Sequence, residues 1–139
     1  LNIVKEKKDM MIPAKPALDI GVLVSDIKKS FEFYHDLLGL KFIGERPVWY
    51  GVIHRLRFGE SDFKLVVPNE QLEKGRQGLE RQLGYRYVTF EVQNLSEICN
   101  LLKEKGISFY IEEREPLPGV RFAMVEDPDG NIVEFLQRS

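Results

Sequence analysis

The feature that most constrains the fold is a repeat hidden in 139 residues. Leu18–Val24 reads as a β-strand, followed by the capping residues Ser25 and Asp26 and by helical spacing over Ile27–Leu38. Gly39 stops that helix. Leu40–Gly44 follows as a short strand, then Val48–Phe58 and Phe63–Val67 as a hairpin across Gly59–Asp62. After a polar stretch the order recurs. Tyr87–Val92 is a strand, Asn94 a cap, Leu95–Lys105 a helix, Gly106 its stop. Strands over Ile107–Ile111, Gly119–Val125 and Ile132–Leu136 complete it. Asp19 and Tyr87 stand 68 residues apart, as do Asp26 and Asn94; Gly39 and Gly106 stand 67 apart, and Lys64 and Glu134 stand 70 apart. A nearly constant offset over four landmarks marks a duplicated βαβββ unit.

One helix can cover one face of a four-stranded sheet. Two such units therefore predict an α+β protein: a curled, cup-shaped mixed sheet with helices outside and one open inner face. Strand alternation then sorts the side chains. Asp19, Gly21 and Leu23 point into the cup, as do Lys64 and Val66, then Tyr87, Thr89 and Glu91, and finally Ile132, Glu134 and Leu136. If Leu56 and Phe58 pack on the helix, Arg55 and Arg57 also point inward. The repeat offset adds Phe122 and Met124. Trp49 and Tyr50 are candidate apolar walls, with core or dimer packing as the other reading.

Residues 1–16, Lys-rich and closed by Pro13 and Pro16, read as an N-terminal arm or a remnant of cloning. Residues 17–139 then form one domain: a first module over about 17–68, a linker over 69–84 and a second module over about 85–137. The net charge of −2 argues against nucleic acid as a partner, and no apolar run is long enough to span a membrane. Cys99 is the only cysteine, which removes any internal disulfide or cysteine-based zinc cluster. A cytoplasmic protein is the expectation.

Near the C-terminus, Asp127-Pro128-Asp129-Gly130-Asn131 is a run of turn formers feeding the last strand. That strand carries one charge, Glu134, among apolar residues. A buried carboxylate needs a partner, because leaving it unpaired costs several kcal/mol.

Taken together, LDIGVLVSDIKKSFEFYHDLLGLKF, YVTFEVQNLSEICNLLKEKGI and DPDGNIVEFL resemble the vicinal oxygen chelate superfamily. It includes glyoxalases, bleomycin-resistance proteins and extradiol dioxygenases. The resemblance covers about residues 17–137. It implies paired βαβββ modules around a U-shaped cup, a homodimer, a small-molecule ligand and, in most enzymatic members, a divalent metal held by His and Glu side chains. The four metal positions fall on Asp19, Lys64, Tyr87 and Glu134, so only Glu134 keeps the usual residue. A protonated lysine repels a cation, and a tyrosine is a poor ligand near neutral pH. Of the two histidines, His35 falls on an exposed helix face and His54 on the outward side of its strand.

No cofactor is therefore expected, with Glu134 and Asp19 the ligands if a metal does bind. The ammonium of Lys64 is expected to take the place of the metal, paired with Asp19 and Glu134, with Tyr87 donating a hydrogen bond. That group is either a binding site or a structural ion-pair cluster. Three functions follow from the resemblance: a metal-free cup that binds a small organic ligand, anionic or aromatic; a metal-dependent lyase, isomerase or dioxygenase; or a metal-free enzyme with Glu134, Lys64 or Tyr87 as acid or base.

Overall fold

A computed structural model describes residues 10–139; the first nine residues of the arm lie outside it. The repeat organises everything that follows. The first unit runs β1 (Ile20–Leu23), α1 (Ile27–Phe31), β2 (Lys41–Val48), β3 (Gly51–Phe58) and β4 (Ser61–Pro68). The second runs β5 (Tyr87–Glu91), α2 (Leu95–Glu104), β6 (Phe109–Leu117), β7 (Val120–Glu126) and β8 (Ile132–Arg138). Each unit folds its strands into one four-stranded sheet, in the orders β1-β4-β3-β2 and β5-β8-β7-β6. The first strand pairs parallel with the last and the other pairings are antiparallel, so both sheets are mixed. Neither sheet closes into a barrel. The α+β, two-module architecture expected from the repeat is the architecture observed.

The duplication extends to the hydrogen-bond register. Gly21 lies opposite Lys64 in the first sheet, and Thr89 lies opposite Glu134 in the second. Alternation behaves as the pattern requires. Phe63 and Leu65 of β4 and Val133 and Phe135 of β8 are buried on the helix side. Helix α1 packs on β4, and α2 packs on β7 and β8. One apolar core crosses both units: the Phe90 ring lies 5.7 Å from Phe63 and 5.0 Å from Phe58.

Several boundaries differ from the expectation. Val48–Phe58 is not one strand. Trp49 and Tyr50 form a tight turn, so β2 runs on to Val48 and the region is a second hairpin. The reason is Gly51, where a side chain would collide with the Val67 carbonyl across the ladder. Only glycine lets the chain turn that close to β4. The final β-hairpin arm also starts and ends later than expected, with β6 reaching Leu117. In the first helix, the α-helical turns of α1 continue as a π-helix over Glu32–Leu37, with the Leu38 N–H bonded to the Phe33 carbonyl. The wider turn lets adjacent Phe33 and Tyr34 both enter the core. Asp26 caps α1 by accepting the Lys29 N–H. Asn94 makes no such cap for α2; its amide bonds Glu97, and the Leu95 N–H goes instead to the Gln137 side chain.

The DPDGN turn joins the two units. Asp127 accepts the N–H groups of Asp129 and Asn131, which builds the turn, and its second oxygen accepts the Tyr34 hydroxyl of the first unit at 2.7 Å. Asp129 accepts both the backbone N–H and the hydroxyl of Ser25. Burial, and then the charge of Asp127, pushes the Tyr34 phenol well above its ordinary pKa. Among the described residues no helix is long and apolar enough to cross a membrane.

Candidate functional site

The site is built on the sheet faces that carry no helix. On the first sheet, antiparallel pairing places Arg55 opposite Lys64 and Arg57 opposite Asp62. These four therefore share one face, the opposite face from buried Leu56 and Leu65. Asp62 organises them. One of its oxygens accepts Nε and Nη2 of Arg57 at 3.1 and 2.8 Å, and the other accepts Nη2 of Arg55 at 3.2 Å. Asp62 is only 7% exposed, whereas both arginines keep about two-fifths of their side chains in solvent. The Arg57 hydrogen bonds hold the Asp62 carboxyl below the usual carboxylate range, against the opposing effect of burial. The Asp62 backbone N–H donates to Asp19 Oδ1 at 2.8 Å, and Lys15 Nζ reaches the same oxygen at 2.6 Å. Both bonds lower the Asp19 pKa, that of Lys15 the more. Lys41 and Arg46 of β2 lie opposite Arg57 and Ile53, so they extend the basic strip.

The second sheet presents different chemistry. Glu134 accepts the Thr89 hydroxyl at 2.6 Å, with Met124 opposite it on β7. Glu91 pairs with Arg138. Phe122 lies opposite Leu136 on the same face. Between the leading strands of the two units lies a cavity of about 760 Å³. Asp19 and Gly21 line it from the first unit and Tyr87 and Thr89 from the second, with Phe63 and Phe90 among its apolar walls.

Some of the expected site residues come together here. Asp19 and Tyr87 share the cavity. Arg55, Arg57 and Lys64 share a face that reaches Asp19 through Asp62, and Glu134 reaches the cavity through Thr89. The expected cluster of Lys64 with Asp19 and Glu134 does not form within the chain. Asp19 is taken by Lys15 and Asp62, Glu134 by Thr89, and Lys64 joins no ion pair among the described residues. The physical reason is topological: Lys64 and Glu134 sit on fourth strands of separate sheets, each one strand away from the seam. Trp49 is no wall of this cavity. It is 88% exposed at the tip of the β2–β3 hairpin, edge to face with Tyr50. His54 is on the helix side against Glu45, and His35 stacks on Phe31.

Asp62 falls outside the expected site because the sequence places Gly59–Asp62 in a hairpin turn, whereas β4 begins at Ser61. The signal was available, since the alternation that turns Lys64 inward does the same for Asp62 two residues earlier.

Two mixed four-stranded sheets of βαβββ order, with a cleft where their first strands meet, define a class, and a family model gives it a name. The chain belongs to the Glyoxalase/Bleomycin resistance protein/Dioxygenase superfamily, whose model matches residues 18–135. A lactoylglutathione lyase of Neisseria meningitidis serogroup B is 28% identical over 119 residues, spanning 83% of this chain and 85% of that protein. Among solved structures, SMU.1112c aligns with a TM-score of 0.76 and 26% identity over 89% of this chain and 99% of its own. TnmS3, an antibiotic binding protein from Streptomyces sp. CB03234, aligns with a TM-score of 0.70 and 23% identity over 92% of this chain and 100% of its own.

Many enzymes of such a family rely on a divalent metal, and the donor set can be tested against that requirement. The four positions that the resemblance assigns to a metal, Asp19, Lys64, Tyr87 and Glu134, offer a carboxylate already bonded to an ammonium, a second ammonium, a phenol, and a carboxylate bonded to a hydroxyl. Among the described residues no three His, Cys, Asp or Glu side chains converge. An ammonium offers no lone pair and repels a cation, and a phenol hydroxyl is a weak ligand for a divalent ion. These residues do not fit the metal.

Proposed function

We propose that this protein binds a small organic ligand in the cleft between its two sheets, without a metal. The observation that carries the reading is the cavity of about 760 Å³ beside an ordered basic face. Its lining is mostly apolar and aromatic, with a few fixed polar groups, which is the usual make-up of a small-molecule site. Asp19, Thr89 and Tyr87 supply hydrogen bonds there. Arg55, Arg57 and Lys64 supply positive charge at its margin, Glu134 orients Thr89, and Phe122 and Met124 give the second face an apolar surface. The ligand this chemistry favours is anionic or aromatic. TnmS3 offers a precedent in the same fold for binding an organic compound.

The faces also support a homodimer. The first is basic through Lys41, Arg46, Arg55, Arg57 and Lys64, whereas on the second Glu91 is paired with Arg138. A second copy would cover sheet faces that carry no helix of their own. A cytoplasmic location accords with a sole cysteine that is buried and free.

Metal analysis of the purified protein, followed by a thermal-shift screen of small acids and aromatic compounds, tests the reading. The expected result is no stoichiometric divalent ion and a stabilising hit. Folded Glu134→Ala and Lys64→Ala variants should both weaken that hit. A hit indifferent to both variants places binding elsewhere. A second reading, a divalent-metal lyase, isomerase or dioxygenase, rests on the lactoylglutathione lyase relatives. A stoichiometric ion lost in Glu134→Ala decides for it.

A further inference from the structure

We infer that the cleft takes a ligand bearing an alkylammonium group on an aromatic body, that Asp19 receives this group, and that the side chain of Lys15 stands in its place until the ligand displaces it. The inference rests on the cleft reading above and follows its aromatic branch.

The argument begins with the polarity of the lining. Among the described residues that line the cavity, Asp19 is the one charged side chain. An ionised carboxylate only accepts hydrogen bonds, and the bonds to Asp19 keep it ionised near neutral pH. Thr89, from the second unit, gives its one hydroxyl proton to Glu134, so it too can only accept from a ligand. The Glu134 charge behind it strengthens that acceptor. Acceptors facing one space from both units call for a ligand rich in N–H donors. Tyr85 and Tyr87 leave their rings open to solvent at the same cavity, and aromatic faces attract a cation. A primary ammonium has three donors and a positive charge, and so meets both demands.

The basic face does not oppose this. None of Arg55, Arg57 and Lys64 lines the cavity, and the two arginines are bonded to Asp62. The structure already holds an ammonium at the site: Lys15 Nζ lies 2.6 Å from Asp19 Oδ1. A cation therefore settles on Asp19 with all three basic side chains in place. Lys15 precedes β1 and lies in no helix or strand. It and Asp19 keep 35% and 34% of their side chains in solvent. An exposed pair of this kind contributes little and opens readily. Asp19 Oδ1 also accepts the Asp62 N–H, which holds the carboxylate still while its partner changes. Exchange of Lys15 for a ligand ammonium leaves the charge at Asp19 as it was. The aromatic body gains the apolar cavity, which Lys15, outside the lining, does not fill.

Calorimetry on the full chain compares 2-phenylethylamine, 2-phenylethanol and 3-phenylpropionate, which share an aromatic body and differ in charge. The wild type should bind the amine about tenfold tighter than the alcohol, the scale of a hydrogen bond to a charged group, and the acid no better than the alcohol. Lys15→Met keeps the reach of the side chain and removes the competing ammonium. It should tighten the amine about threefold, the scale of an exposed ion pair, and leave the alcohol unchanged. Asp19→Asn can still accept the Asp62 N–H and should erase the preference for the amine. Equal affinity for amine and alcohol, or a preference for the acid, overturns the inference and leaves the cleft reading standing. An amine affinity that Lys15→Met leaves unchanged also overturns it, as does an amine preference that survives in folded Asp19→Asn. If Asp19→Asn does not fold, Lys15→Met decides. A wild type that binds none of the three overturns the inference together with the aromatic branch of the cleft reading.

Discussion

The bond between Tyr34 and Asp127 should behave as a lock between the two repeats, and its strength can be worked from the structure. Tyr34 is 1% exposed and donates to Asp127 at 2.7 Å across 93 residues of sequence. Tyr34→Phe removes one oxygen and leaves the ring packed against Phe33 and Phe63. A hydrogen bond to a charged group contributes about 1.5–3 kcal/mol. Asp127 keeps donors from Asp129 and Asn131, so its charge is not stranded, and a loss of about 2 kcal/mol is expected. For a domain of this size that lowers Tm by roughly 6 °C. Urea unfolding should show a lower midpoint with an unchanged slope.

The pH dependence gives an independent check on the same bond. The phenol pKa is raised in the fold by burial and by Asp127. Above pH 10 the unfolded chain loses this proton while the native state keeps it. The stabilisation is therefore complete below pH 10 and is lost as pH rises beyond it, by about 1.4 kcal/mol per pH unit. Tyr34→Phe has no such proton, so the gap between variant and wild type should close above pH 10. Parallel pH curves, or a variant within about 0.5 kcal/mol of wild type at neutral pH, would refute the reasoning.

Three other outcomes follow from particular side chains. Ser30 is fully buried, and among the described residues its hydroxyl has no hydrogen-bond partner, so Ser30→Ala should raise stability by about 1 kcal/mol in urea unfolding. Gly51→Ala drives a methyl group into the Val67 carbonyl and should lower Tm, with loss of the exposed Trp49–Tyr50 turn read from tryptophan fluorescence. Burial pushes the Cys99 thiol up to about 11 from 9.0, so stability should fall as pH rises from 9 towards 11 while the unfolded thiol ionises first; Cys99→Ala should flatten that part of the curve.

What could be read from the residues follows from what alternation and capping encode. Both are local, and the repeat doubles the evidence for each element. Hence the βαβββ order of elements within each unit, the inward parity of Lys64, and the helix side of Phe63 and Val133 were all legible. The Trp49–Tyr50 turn was not, because its cause is a close approach of Gly51 to Val67, a contact 16 residues away. The π-helical turn was hidden for a similar reason: apolar spacing alone does not separate an α from a π path over six residues. The pairing of Lys64 with Glu134 failed at a higher level. An offset in sequence matches equivalent positions in two units, and equivalence is not contact.

The DPDGN motif shows why that distinction matters for function. The motif is conspicuous because turn residues precede a charged strand, and the charge draws attention to Glu134. In the fold, however, its aspartates are the buried groups that face the other unit, Asp127 to Tyr34 and Asp129 to Ser25. They fix how the second sheet meets the first, and the cavity with Asp19 and Tyr87 lies where the two meet. Among the described residues Glu134 bonds only the Thr89 hydroxyl, which it orients. A cleft held by buried aspartates on its scaffold can change the residues that line it without losing its shape. That separation lets residues such as Tyr87 and Thr89 vary while the two sheets still meet around a defined space.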